Sequence, residues 1–131
     1  MFRKDFVWGV SAAAYQIEGA TNEGGRTPSV WDTFCLKDGA IERGETGDIA
    51  CDFYHKYKED IALMKLLGVK AFRFSLSWSR LLPTQDGKVN EEGAKFYDSV
   101  INELISSGIT PYITLFHWDL PAYLYEKGGF M

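Results

Sequence analysis

The residues best equipped for chemistry are His117, Trp118 and Asp119, which follow the apolar run 110–116 and precede Leu120-Pro121. An imidazole, an indole and a carboxylate in one turn combine proton transfer, hydrogen bonding and a stacking face. In parallel α/β proteins, side chains beyond the carboxyl ends of strands face the ligand. A ring beside groups that pair with hydroxyls suits a sugar. A lone histidine is more often structural than catalytic, so its meaning depends on what positions it.

Two further segments bear on the same pocket. Residues 72–78 alternate, with Phe72, Phe74 and Leu76 on one face and Arg73, Ser75 and Ser77 on the other. If the apolar face packs on helices, Arg73 points to the opposite side, where a guanidinium needs an anion. The alternative is an exposed edge strand with Arg73 in solvent. Residues 6–11 run into Ala12-Ala13-Ala14-Tyr15-Gln16-Ile17-Glu18-Gly19. Small residues after a strand let the backbone turn closely, and Gln16 offers both donor and acceptor to paired hydroxyls. The alternative is a strand leading into a short polar helix. Glu18 reads as a structural hydrogen-bond partner rather than an acid catalyst.

Other chemistries find no support. Gly24-Gly25-Arg26 lacks the spacing and lysine of a phosphate loop, and no Gly-x-Ser-x-Gly elbow occurs. Cys51 and His55 stand four apart, but no further ligands at metal spacing accompany them. No metal or cofactor is expected.

An internal repeat indicates how these residues are held. Gly68 precedes Trp78 by ten residues, Gly108 precedes Trp118 by ten, and the pairs are offset by 40. Before each glycine the spacing predicts a helix: residues 53–67, with Tyr57, Ile61 and Met64 in a row widened by Leu63, Leu66 and Leu67, and residues 91–107, with Phe96, Val100 and Leu104 in one row and Tyr97, Ile101 and Ile105 in the next. Asp52 and Asn90 are candidate N-caps, Gly68 and Gly108 candidate C′ residues. After each glycine comes a strand pattern, at 69–77 and 109–117, with a third at 6–10. The repeat puts Arg73 on Ile113 and Ser77 on His117, so that His117 would point the way Arg73 does unless a bulge intervenes. Strands alternating with helices predict a parallel sheet with right-handed crossovers. Residues 20–47, with five glycines and a proline, are too long for an ordinary connection and read as a functional loop.

Composition sets the boundaries. A chain of 131 residues predicts one domain, and its aromatic content of 15% suits both a core and sugar stacking. A net charge of −4 without a basic stripe argues against nucleic acid and anionic membranes as partners. No signal-like segment opens the sequence, no run is long enough to span a membrane, and Cys35 and Cys51 read as reduced thiols, so the expectation is a soluble cytoplasmic protein.

Three stretches together resemble the family-one glycoside hydrolases, the β-glucosidase family. They are residues 6–20, through Tyr15-Gln16-Ile17-Glu18-Gly19-Ala20; residues 57–75, from Tyr57-Lys58-Glu59-Asp60 through Phe72-Arg73-Phe74-Ser75; and residues 116–129, from Phe116-His117-Trp118-Asp119-Leu120-Pro121 through Lys127-Gly128-Gly129. Pro28-Ser29-Val30-Trp31-Asp32 also fits. The resemblance implies an α/β fold, an incomplete (β/α)8 TIM barrel contributing the first three strands and their helices, with residues 1–131 as the amino-terminal part of one catalytic domain. It implies a retaining mechanism on small β-glucosides, with Gln16, His117 and Trp118 binding sugar hydroxyls and Arg73 supporting the nucleophile. Retaining hydrolysis uses two carboxyl groups about 5–5.5 Å apart. The family carries them in an Asn-Glu-Pro and a Glu-Asn-Gly-type segment, neither of which occurs here. The expectation is therefore an inactive chain whose partners are a β-glycoside and the remaining carboxyl-terminal barrel. The rival is a truncated, non-catalytic sugar-binding or interaction module. Tyr15-Gln16 resembles members acting on unphosphorylated glycosides.

Overall fold

The computed structural model describes residues 1–130. Three short parallel strands, β1 (Gly9–Ser11), β2 (Ala71–Ser75) and β3 (Thr110–Thr114), form one sheet in the order β1-β2-β3. Between β1 and β2 come α1 (Ala14–Ile17), α2 (Val30–Cys35) and α3 (Phe53–Leu66). Between β2 and β3 come α4 (Trp78–Leu81) and α5 (Glu91–Ser106), and α6 (Ala122–Glu126) follows β3. This is the partial parallel α/β architecture expected from the alternation of strand and helix patterns.

The core lies between β2 and the two long helices. Phe72 and Phe74 meet Phe53 and Ile61 of α3, Phe96, Tyr97, Val100 and Leu104 of α5, and Ile109. Ile61, Val100 and Leu104 are fully buried, each contributing about 2 kcal/mol. Leu63, Leu66 and Leu67 depart from expectation: they are exposed, as is Ile105. A helix packed on one layer buries a single stripe, and these side chains lie outside it.

Both long helices end in the same way. Gly68 donates to the Lys65 carbonyl (3.1 Å) and Val69 to that of Met64 (3.0 Å); Gly108 donates to that of Ile105 (3.0 Å) and Ile109 to that of Leu104 (2.9 Å). Each glycine has a φ near +75°, which completes a Schellman motif and turns the chain into the following strand. The starts differ. Asn90 caps α5 by accepting from the Glu92 N–H (3.3 Å), with Glu91 and Glu92 in the first turn. Asp52 sits at the N-cap position of α3 but is left-handed (φ 58°) and makes no side-chain cap bond. Its carboxylate instead faces His55 Nδ1 (2.6 Å) and Lys56 Nζ (3.3 Å).

The strands are shorter than their apolar runs, and β1 lies later than the 6–10 pattern suggests. The parallel ladder pairs Ala71 with Thr110, Arg73 with Tyr112 and Ser75 with Thr114. That offset is 39 residues, not the 40 of the repeat, because β3 begins two residues after its helix-ending glycine and β2 three. Arg73 therefore stands beside Tyr112 rather than Ile113. The ladder ends at Thr114, before His117, so strand alternation no longer fixes the direction of that ring. Residues 20–47, expected to form a functional loop, contain α2 and a series of turns. Cys51 precedes α3, so it does not share a helical face with His55.

Candidate active site

The residues singled out in the sequence lie on or just beyond the carboxyl ends of the parallel strands. Ala13 and Ala14 are buried, and the Ala14 N–H donates to Ser75 Oγ (2.7 Å), which ties the start of α1 to the end of β2. Gln16 then projects from α1 as an exposed side chain. Arg73 is exposed on the sheet face opposite the Phe72 and Phe74 core, and it takes part in no ion pair among the described residues. His117 is half-buried. Trp118 is 72% exposed with φ 73°, a left-handed backbone rare for an aromatic residue. No hydrogen bond joins Gln16, Arg73, His117 and Trp118 to one another among the described residues. The parallel sheet brings them to one end of the fold without linking them directly.

What holds this end together is a buried polar network that sequence reasoning missed in part. Arg80 of α4 is fully buried, with Nε 3.1 Å from Glu18 Oε2. Its other nitrogens donate to the carbonyls of Gly19 (3.3 Å), Ala20 (3.4 Å) and Glu23 (3.2 Å). Its guanidinium carbon lies 4.2 Å from the ring centre of Tyr54. Tyr97 of α5 donates to Glu18 Oε1 (2.6 Å) and accepts from the Ser77 N–H (2.7 Å). Burial, then the Glu18 charge, pushes the Tyr97 hydroxyl well above the usual phenol range, so it remains a donor. Glu18 is thus the structural partner expected of it. Nothing local marks Arg80: its neighbours Trp78, Leu81 and Leu82 look like an ordinary apolar stretch, and the hydrogen-bond partners of its guanidinium are 57 to 62 residues away.

A second network fixes the loop facing His117 and Trp118. Asp32 Oδ2 accepts from Arg26 (2.7 Å), the Ser29 N–H (2.6 Å) and Ser29 Oγ (2.7 Å), forming a capping box at α2. The Val30 N–H donates to the Leu120 carbonyl (2.8 Å) and the Ala122 N–H to that of Pro28 (2.9 Å). The Tyr123 hydroxyl donates to the Leu82 carbonyl (2.7 Å), and Trp78 Nε1 to that of Leu115 (2.7 Å). The chain is therefore tethered on both sides of the 116–119 turn. Next to Gln16, Tyr15 accepts from the Gly47 N–H (3.2 Å) and lies 3.4 Å from Cys35 Sγ; burial raises its hydroxyl pKa. Trp118 also lines a groove of about 450 Å³ with Trp31, Phe34 and Tyr125.

Asp119 is the anomaly. It is 1% exposed, and among the described residues neither of its oxygens has a hydrogen-bond partner. Burial pushes its carboxyl up to about 6. Ser77 Oγ and Ser79 Oγ, beyond the end of β2, are likewise buried and unpartnered.

A parallel sheet carrying polar and aromatic side chains beyond its strand ends is the arrangement of an α/β-barrel enzyme. Residues 1–131 match the glycosyl hydrolase family 1 description, and the chain belongs to that family. It is 55% identical over 128 residues to β-glucosidase A of Acetivibrio thermocellus, covering 98% of this chain and 29% of that protein. It is also 55% identical over 130 residues to an aryl-phospho-β-D-glucosidase of Bacillus subtilis, covering 98% of this chain and 27% of the relative. The solved β-glucosidase from Thermotoga maritima in complex with azafagomine superposes with a TM-score of 0.94 at 50% identity, over 98% of this chain and 29% of that one. The chain thus spans under a third of the length of these relatives. Their names include both phosphorylated-substrate and ordinary glucosidases, so overall similarity does not distinguish the two.

Proposed function

We propose that this chain is the amino-terminal, glycone-recognising part of a retaining β-glucosidase-type barrel that acts on small β-glucosides in carbohydrate metabolism. The observation that carries the reading is the match of nearly the whole chain, at 50% identity and a TM-score of 0.94, to a β-glucosidase in complex with azafagomine. On this reading Gln16 and His117 exchange hydrogen bonds with sugar hydroxyls, and the Trp118 indole supplies the stacking face. Arg73 supplies positive charge for the nucleophilic carboxylate. The exposure of Arg73 on the sheet face opposite the core supports a partner outside the present network.

Bond cleavage needs an acid for the leaving oxygen and a carboxylate nucleophile. Glu18 is committed to Arg80 and Tyr97. No glutamate stands in an Asn-Glu-Pro or Glu-Asn-Gly setting. The proposal therefore includes an isolated chain that recognises sugar without turnover, and a carboxyl-terminal barrel portion as its partner. It also includes a reducing, cytoplasmic setting, which accords with free Cys35 and Cys51. Among the described residues no helix is long and apolar enough to cross a membrane.

The test is an NMR titration of the purified chain with glucose and with methyl β-D-glucoside, alongside an aryl β-glucoside assay. Shifts at Gln16, His117 and Trp118, lost in His117→Ala, support the glycone site. Turnover that His117→Ala abolishes would overturn the assignment of an inactive part. Absence of any shift at these residues would overturn the recognition role.

A further inference from the structure

A small polar cavity lies between the two networks described above. Its volume is about 10 Å³, and Glu18, Thr21, Arg26 and Ser77 supply its polar wall, with Ala14 and Gly19 beside them. A single water needs on the order of 10–15 Å³ and typically forms about three hydrogen bonds to buried polar groups. Each of these residues is buried except Arg26, whose side chain is still only 4% exposed. Ser77 singles the cavity out. It stands at the N-cap position of α4, where a serine hydroxyl ordinarily accepts from the first helical N–H groups. Here it makes no side-chain cap bond. Its backbone is engaged: the N–H donates to the Tyr97 hydroxyl (2.7 Å), and the carbonyl accepts from the N–H groups of Arg80 (3.1 Å) and Leu81 (3.0 Å). Its Oγ alone is left over, buried and without a partner among the described residues. Native proteins leave few buried hydroxyls bare, because doing so is unfavourable.

The other walls have matching capacity. Glu18 accepts one side-chain bond on each oxygen, from Tyr97 and from Arg80, and each oxygen keeps a second lone pair. Arg26 donates to the Thr21 carbonyl (3.3 Å) and to Asp32 (2.7 Å), and its guanidinium carries more donors than these bonds use. A cation in the cavity would face Arg26 and an anion would face Glu18, whereas a neutral group that both donates and accepts suits both. We propose that the cavity is a binding site for one ordered water molecule, which accepts from Ser77 Oγ and from Arg26 and donates to Glu18. No hydrogen bond among the described residues joins Glu18 to Arg26 directly. The water is therefore the link between the network around Arg80 and the Arg26–Asp32 pair that holds the loop before α2. This inference does not depend on sugar binding.

The experiment is ¹⁷O magnetic relaxation dispersion of water in solutions of the full chain, which registers waters held for longer than the protein tumbles. It is paired with NMR cross-peaks from water to Ala14 Hβ and Gly19 Hα. Ser79 Oγ and the Asp119 carboxyl are buried without partners as well, so the dispersion is read as a difference between variants. In Ser77→Val the added methyl groups fill the cavity. The dispersion amplitude should fall by the equivalent of one water and the cross-peaks should vanish, while the amide spectrum stays that of a folded chain. Ser77→Ala keeps Glu18 and Arg26 as partners, so its cross-peaks should persist, and they cannot then be relayed through the serine hydroxyl. An unchanged amplitude in folded Ser77→Val overturns the inference. So does the absence of the wild-type cross-peaks, or their loss in Ser77→Ala. Should Ser77→Val fail to fold, the wild-type and Ser77→Ala cross-peaks still decide.

Discussion

Replacing Arg80 with methionine tests the network that carries the site. Methionine keeps most of the apolar stem but deletes the guanidinium that lies over the Tyr54 ring. Glu18 is then left as a carboxylate whose side chain is 6% exposed, with the Tyr97 hydroxyl as its only side-chain donor among the described residues. Removing one partner of a buried ion pair typically costs about 3–5 kcal/mol. The carbonyls of Gly19, Ala20 and Glu23 lose a donor as well, which places Arg80→Met near the upper end, about 5 kcal/mol. With an unfolding entropy of about 2.1 cal/mol/K per residue over 131 residues, that corresponds to a fall in Tm of roughly 15–20 °C. The stranded charge accounts for about 3 kcal/mol of this. Adding Glu18→Gln neutralises it while keeping an acceptor for Tyr97, so the double variant is expected to regain that share. The assay is urea unfolding followed by tryptophan fluorescence at pH 7 and about 15 °C, near the usual temperature of greatest stability. A loss under about 1 kcal/mol in Arg80→Met, or a double variant no more stable than the single one, refutes the reasoning.

Three other outcomes follow from the same structure. Tyr97→Phe removes the donor to Glu18 and the acceptor for the Ser77 N–H without opening a cavity, and is expected to cost about 2 kcal/mol by urea unfolding. His55 has a raised pKa because Asp52, and then Glu23, hydrogen-bond its ring; its stabilising contribution is full below the ordinary histidine value and lost as pH rises through the folded one, so an NMR titration of the ring should place its midpoint above 6.5, and below it if these contacts do not form. Asp119, raised from 3.8 to about 6, binds its proton more readily folded than unfolded; stability should therefore fall by about 2 kcal/mol as pH rises from 4 to 7, and urea curves for Asp119→Asn should lose that slope.

The repeat made much of the scaffold legible. Each helix-ending glycine, with its positive φ, is a local requirement that one residue type satisfies, so Gly68 and Gly108 disclose two helix ends and the strands beyond them. The buried row Phe96, Val100 and Leu104 on α5, and Phe72 with Phe74 on β2, follow from period alone. The register did not, because a single residue of difference between glycine and strand start changes every pairing. That one residue, and the early end of the ladder, removed the argument linking the direction of Arg73 to His117.

Two arginines, Arg73 of β2 and Arg80 of α4, make the same distinction sharper. Alternation correctly puts Arg73 on the face away from the helices, and the cost of a buried charge then makes an anion partner the natural expectation. The buried arginine is Arg80 instead, and its anion is Glu18. Burial of Arg80 depends on residues 18–24 folding over α4, and that depends in turn on left-handed turns at Gly19, Ala20 and Gly24 which bring three carbonyls to one guanidinium. Such a site is set by backbone shape over some 60 residues of separation, not by any local period. Since Glu18 is two residues from Gln16, and the Asn90 amide bonds to both Gly24 and Arg80 carbonyls, the network braces the segment that carries Gln16. The residues proposed to meet sugar were singled out in the sequence by their chemistry and by resemblance, whereas the network around Arg80 became visible only once the chain had folded around it.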